Sequence, residues 1–315
     1  MSVLSDRHFH DEAEAYKFVE ARIWPNGPIC PHCGGVERIS KMGGKSTRMG
    51  AYKCYQCRKP FTVKVGTIFE ASHVPMNHWL QAIFLMASSK KGISSNQLHR
   101  TLGVTLKTAW FMSHRIREAM RDGLLGPLGG NGELVEVDET YFGQRADKRS
   151  TKTSGEPFIK KGKSGPSNKR AVLGLIERNG SVRTFHVASA TKENVAVLVS
   201  ENIAVESVLM TDESRLYPTV GATFNAHWTV KHSAGEYVRG GAHTNTIESY
   251  FSIFKRGMRG TYQHCAEKHL HRYLAEFDFR HNKRVALGVN DVARAGRILD
   301  GVVGKRLTYE TTSAR

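Results

Sequence analysis

Apolar residues recur at helical spacing in three stretches between residues 76 and 120. In 76-MNHWLQAIFLMASSK-90, Trp79, Ile83, Leu85 and Met86 fall near one side of a helix. The second stretch, 95-SNQLHRTL-102, follows the N-cap candidates Ser94 and Ser95 and stops at Gly103. The third, 106-LKTAWFMSHRIREAM-120, follows the cap candidate Thr105. Beyond the Gly-rich 123-GLLGPLGGNG-132, which reads as a linker, the pattern changes to strands. Strands are predicted at 134–143, 171–178 and 182–189, the last two joined by Asn179-Gly180, a strong hairpin signal. A helix at about 191–203, a buried strand 206-ESVLMTD-212 and a short strand 228-WTVKH-232 follow. Short strand-like pieces also stand at 37–43 and 60–69.

The last strong pattern is 243-HTNTIESYFSIFKRGMRGTY-262. At about 100° per residue, Ile247, Phe251, Phe254 and Met258 make one apolar stripe. Glu248, Ser252, Lys255 and Arg259 fall together beside it, so Glu248 stands at the edge of the buried face. Taken alone, Glu248 is better explained as an acidic residue answering the helix dipole, with Lys255 solvated.

Two Cys-x-x-Cys knuckles, 30-CPHC-33 and 54-CYQC-57, are separated by twenty residues. This spacing predicts a zinc ribbon in which Cys30, Cys33, Cys54 and Cys57 hold one structural Zn2+. Cys265, in the His-rich 264-HCAEKHLH-271, lacks a second cysteine and reads as packing and surface. The short helix, Gly-containing turn and longer helix at 95–120 have helix-turn-helix grammar, with Lys107, Thr108, His114 and Arg115 on the second helix.

Charge narrows the partner. Lys and Arg number 46 against 29 Asp and Glu, a net charge of +17, which favours a polyanion. The longest apolar run, 79-WLQAIFLMA-87, is too short to span a bilayer, and the first residues contain no apolar signal core. A cytoplasmic, nucleoid-associated protein is expected, in a reducing compartment where five cysteines do not imply disulfides. The segment 145–170 holds nine Lys or Arg against two acidic residues among many Gly, Ser and Pro, a basic loop suited to phosphate.

Against this basic background, Asp138 and Asp212 close predicted strands and Glu248 opens a helix. Three carboxylates brought together repel one another unless cations join them, and hard oxygen ligands suit Mg2+ or Mn2+. Two such ions are a standard device for in-line attack on a phosphodiester. Spacing does not separate Asp138 from Glu136 and Glu139, and Asp212 equally suits an N-cap for 213–220.

These motifs together resemble the insertion-sequence DDE transposases of the ISXO type. The likeness rests on the two cysteine knuckles, 136-EVDETYFG-143, 210-MTDES-214 and 243-HTNTIESYFSIFKRGMRGTY-262, and runs from about residue 10 to about 284. Thirty-five residues lie between Asp212 and Glu248, and Lys255 follows Glu248 by seven, as in a DDE helix. The resemblance implies that Asp138, Asp212 and Glu248 are the catalytic carboxylates and hold two Mg2+ or Mn2+ ions. It also implies supporting roles for His243 and Asn245.

The expected architecture is α/β: an RNase H-like mixed-sheet catalytic domain preceded by a zinc ribbon and a helix-turn-helix module. Its expected parts are an N-terminal helix (1–23), zinc ribbon (24–70), helix-turn-helix (71–122), linker (123–132), catalytic domain (133–284) and C-terminal tail (285–315). DNA contacts are expected from Lys107, Arg115, Lys148, Arg149, Lys160, Lys161 and Lys255. The expected function is cleavage at an element's terminal inverted repeats and joining of the 3′-hydroxyl to target DNA. The partners are double-stranded DNA and further copies of the chain in a synaptic complex, with no membrane and no small-molecule substrate. A non-enzymatic DNA-binding regulator would leave the three carboxylates unexplained, and a structure-selective RNase H-like nuclease would cut without joining.

Overall fold

A computed structural model describes residues 2–121, 123, 126–145, 169–235, 238, 241 and 243–308. The chain divides into two compact units, Met1–Asp122 with Lys283–Arg315, and Gly123–Asn282.

In the first unit, α1 (Glu12–Ile23) is capped by Asp11, whose side chain accepts from Glu14 N–H. Strands β1 (Ile39–Lys41), β2 (Tyr52–Cys54) and β3 (Pro60–Phe61) form a small antiparallel sheet. Cys30, Cys54 and Phe61 are buried there, with Trp24, Ile39 and Tyr52 packed around them. The strand-like run expected at 60–69 stops after Phe61. Its threonines bond the local backbone instead, Thr62 Oγ1 accepting from Lys64 N–H and Thr67 Oγ1 donating to Lys64 C=O.

Helices α2 (Met76–Ser88), α3 (Ser95–Leu102) and α4 (Leu106–Met120) follow. Ser94 caps α3 by accepting from Gln97 N–H, and Thr105 caps α4 by accepting from Thr108 N–H. Between them Gly103 adopts φ +66°, the left-handed conformation that ends α3 without a side-chain penalty. Trp79, Ile83 and Met86 of α2 are buried as the spacing predicts.

The second unit holds β4 (Leu134–Gln144), β5 (Lys169–Glu177), β6 (Val182–Val187), α5 (Lys192–Asn202), β7 (Val208–Asp212), α6 (Pro218–Gly221), β8 (Ala226–Val230), α7 (Asn245–Gly257) and α8 (Leu270–Asn282). Its sheet has the order β6-β5-β4-β7-β8. The β4–β5 and β5–β6 pairs are antiparallel, whereas β4–β7 and β7–β8 are parallel. This is the RNase H-like arrangement. The β5–β6 hairpin turns at Asn179, with φ +64°.

Strand alternation gives the sheet two covered faces. On one, Val135, Val137, Leu173 and Leu209 pack with Val195, Val199 and Tyr217. On the other, Val172 and Ile176 meet Ile247, Phe251, Phe254 and Met258, the stripe read from the sequence, with Leu270, Leu274 and Phe277 behind. The apolar pattern of α7 continues beyond Gly257 as a π-helical turn, Met258–Tyr262.

Two expected boundaries are corrected. Within 123–132, Leu128 is buried in the core beside Val135 and bridges Ile203, so this end of the segment belongs to the second unit. The expected tail at 285–315 contains α9 (Asp291–Asp300), which packs on α2 and rejoins the first unit. Ile298, Leu299 and Val302 are buried, and Arg22 forms a two-pronged ion pair with Asp300 at 2.7 and 2.8 Å. Asn290 caps α9 by accepting from Ala293 N–H at 2.9 Å, and the helix buries Ile298 and Leu299 on one side.

Candidate active site

Strand β4 carries three acidic residues in four positions, and its pleat sends them to different surroundings. Glu136 and Asp138 share the face covered by α7, while Glu139 shares the face of Val135 and Val137. Asp138 pairs with Gly174 on β5. A Cβ at Gly174 would lie 2.7 Å from both Ile247 and Phe251, so glycine there lets α7 lie close beside Asp138. On the other side, β7 runs parallel to β4 with Glu136 opposite Met210. Two residues further in that register, Asp212 ends β7 beside Asp138.

The carboxylates sense one another. Burial, followed by the negative charges of Glu139, Asp212 and Glu248, pushes Asp138 up to about 8. Asp212 Oδ1 also accepts from Ser214 N–H at 2.9 Å, but this is a local turn contact: the helix expected at 213–220 is only α6, Pro218–Gly221, with Tyr217 at its N-cap, so Asp212 does not cap it. Glu248 is exposed on the first turn of α7, and its Oε1 accepts from the Thr244 hydroxyl at 2.9 Å. Glu139 accepts a hydrogen bond from the hydroxyl of buried Tyr217. Burial raises Glu139, an effect that this hydrogen bond opposes.

Asp138, Glu139 and Glu248 line a cleft of about 780 Å³ with Ser252, Lys255, Arg256 and Arg259. Its composition is acidic at the strand end and basic along α7. Lys255 is half-buried; burial lowers its ammonium and Asp138 opposes that shift. The acidic wall fits a hard divalent cation, because every donor is a carboxylate oxygen and their mutual repulsion is what a cation relieves. The three carboxylates are spaced more widely than the cysteine ligands described next.

In the first unit Cys30, Cys33, Cys54 and Cys57 bring their sulfurs within 4.8 Å of one another. Among the described residues they are the one group of three or more metal-binding side chains that close. The Cys30–Cys57 and Cys33–Cys54 sulfur distances are both 3.7 Å. Amide hydrogens of Cys57 and then Gln56 draw the Cys54 thiol down to about 7, toward the thiolate that binds zinc.

The remaining expected residues divide. Lys107 is exposed at the second position of α4. Arg115 is not: it is buried and donates to the carbonyls of Ile68 at 2.7 Å, Glu70 at 2.8 Å and Leu307 at 3.2 Å. Its expected DNA contact is therefore replaced by a structural one, and His114 is likewise fully buried. Lys148, Arg149, Lys160 and Lys161 lie outside the described residues. His243 Nδ1 stands 3.2 Å from Glu136, and Asn245 is exposed at the start of α7.

Sequence reasoning missed Thr244, Gly174, Tyr217 and Arg256, and it weighed Glu136 and Glu139 only as rivals of Asp138. One signal was present: Glu139 is a lone carboxylate continuing an otherwise apolar strand face, and such a group needs a donor.

The family model for the ISXO2-like transposase domain matches residues 127–282, and that for the transposase zinc-ribbon domain matches residues 10–60. An uncharacterised protein in the transposable element ISH50 of Halobacterium salinarum is 27% identical over 281 residues, covering 86% of this chain and 91% of that protein. Among solved structures, the Mos1 strand transfer complex overlaps 70% of this chain and 72% of its own, at 12% identity and a TM-score of 0.27. A pre-cleavage Mos1 transpososome overlaps 67% and 78%, at 13% identity and a TM-score of 0.21.

Proposed function

Because the chain belongs to the ISXO2-like transposases, metal-dependent enzymes of DNA cleavage and transfer, we propose that Asp138, Asp212 and Glu248 form its catalytic centre. The observation that carries this reading is the meeting of Asp138, Glu139 and Glu248 in one cleft with Lys255, Arg256 and Arg259, where burial first and then the neighbouring carboxylates push Asp138 up to about 8. Asp138 and Asp212, from neighbouring strands, and Glu248, from α7, would hold Mg2+ or Mn2+. Two such ions held there would activate a water or 3′-hydroxyl for attack on a phosphodiester and would stabilise the leaving oxygen.

The chain's own residues orient the DNA. Lys255, Arg256 and Arg259 lie along the cleft beyond Glu248 and take the phosphates flanking the scissile bond. Thr244 holds Oε1 of Glu248 with its hydroxyl and so restrains that carboxylate. Recognition of the element's terminal repeats falls to the zinc ribbon and to the exposed start of α4 at Lys107. Two ends must be brought together, so the active form is an assembly of several copies.

Product analysis tests the reading. The full-length protein is incubated with labelled element ends, a plasmid target and Mg2+ or Mn2+. End cleavage followed by joining to the plasmid is expected, and cleavage that never yields joined product contradicts it.

A further inference from the structure

Glu136 lies two residues before Asp138 on β4 and is fully buried. We propose that Glu136 is a positioning residue, which fixes the helix bearing Glu248 against the strand bearing Asp138. Its Oε2 accepts from the backbone N–H of Thr246 at 2.9 Å and of Ile247 at 3.0 Å. Its Oε1 accepts from the Thr246 hydroxyl at 2.8 Å and from Arg178 at 3.2 and 3.3 Å. His243 Nδ1 stands 3.2 Å from the same oxygen.

The two amides belong to the first turn of α7, where a helix leaves its N–H groups without internal partners. The residue at the N-cap ordinarily covers such amides with its own side chain. Thr244 occupies that place in α7 and makes no capping bond. Its hydroxyl donates to Glu248 instead. Capping therefore comes from another element, and the carboxylate is also the favourable charge for a helix N-terminus.

The consequence is geometric. Glu136 and Asp138 sit on one face of one strand, so the same stretch of backbone presents Asp138 and anchors the turn that presents Glu248. Gly174 completes the arrangement by leaving room for α7. Glu136 is not itself a metal ligand, since both oxygens are engaged by protein donors and neither reaches solvent. Loss of its charge would leave Asp138 in place and let Glu248 drift.

The inference rests on the transposase reading, so the test separates the two. Mn2+ binding by the full-length protein is followed by electron paramagnetic resonance, with amide exchange at Thr246 and Ile247 as a second readout. Glu136→Gln should keep its circular dichroism and zinc content, bind Mn2+ about ten- to a hundredfold more weakly, and exchange those amides faster. Thr246→Val, which removes one hydroxyl donor and leaves the amides, should shift Mn2+ binding in the same direction by less. Wild-type protein that binds no Mn2+ beyond what Glu248→Gln retains overturns the metal-site reading and this inference together. Wild-type binding matched by Glu136→Gln, with unchanged exchange, overturns this inference alone. If Glu136→Gln does not fold, Thr246→Val decides, and binding equal to wild type overturns the proposal.

Discussion

The hydroxyl of Thr244 donates to Glu248 across one helical turn, at 2.9 Å, and Thr244 itself is almost completely buried. A buried donor on a carboxylate proposed as catalytic restrains its rotamer. Thr244→Val keeps the shape and removes the donor, so end cleavage should fall about tenfold or more while DNA binding stays. Thr244→Ser should recover most of the loss. Cleavage rates of the three proteins check this.

Gly174 faces the opposite requirement, space. In Gly174→Ala the added methyl meets Ile247 and the Phe251 ring at 2.7 Å, inside contact distance. Overpacking of this kind costs about 1–3 kcal/mol. Thermal denaturation should show that loss, and cleavage should fall further than the stability change explains, because α7 moves away from Asp138.

The raised Asp138 gives the metal-free protein a defined pH dependence. The unfolded chain loses this proton near 3.8, whereas the native protein keeps it to about 8. Between those values the native state binds more protons than the unfolded state, so Asp138 makes stability fall as pH rises. Denaturation of chelator-treated protein across that range should show the slope, and Asp138→Asn should flatten it.

Lys255 lines the basic side of the cleft, which is proposed to meet phosphate. Lys255→Ala should leave the fold intact, weaken binding of element ends, and reduce the slope of log affinity against log salt by about one. Arg115→Ala should behave differently. Its guanidinium bonds three carbonyls in the first unit, so the variant should melt earlier before any effect on DNA is seen.

Leu299 is buried where α9 meets the first unit, and Leu299→Ala should cost about 2–5 kcal/mol. Ending the chain before Lys283 should expose the apolar face of α2 and yield an insoluble or molten first unit. Chemical denaturation and sedimentation check the two forms.

Much of this protein was legible because its strongest signals are local. Cysteine spacing predicted the four sulfurs that converge, Ser94 and Thr105 capped the expected helices, and the stripe from Ile247 to Met258 packed as its period required. What escaped depends on neighbours remote in sequence. Nothing near Arg115 says that carbonyls of Ile68, Glu70 and Leu307 will surround it. Glu136, Asp138 and Glu139 look alike along the chain. Only the strand's alternation, with α7 on one face and Tyr217 on the other, gives them three different tasks. The C-terminal helix is an exception: Asn290 and the amphipathic residues after it are a local signal for α9, and only its docking against α2 depends on remote neighbours.

The most direct measurement compares wild type with Glu248→Gln on labelled element ends, recording DNA binding, end cleavage and joining in Mg2+ and in Mn2+. Glu248→Gln preserves size and the Thr244 contact but removes the charge. Binding within about threefold of wild type, with cleavage and joining lost by about a thousandfold or more (roughly 4 kcal/mol of barrier), is the predicted result. Cleavage and joining at wild-type rates by Glu248→Gln would contradict a catalytic centre built from Asp138, Asp212 and Glu248.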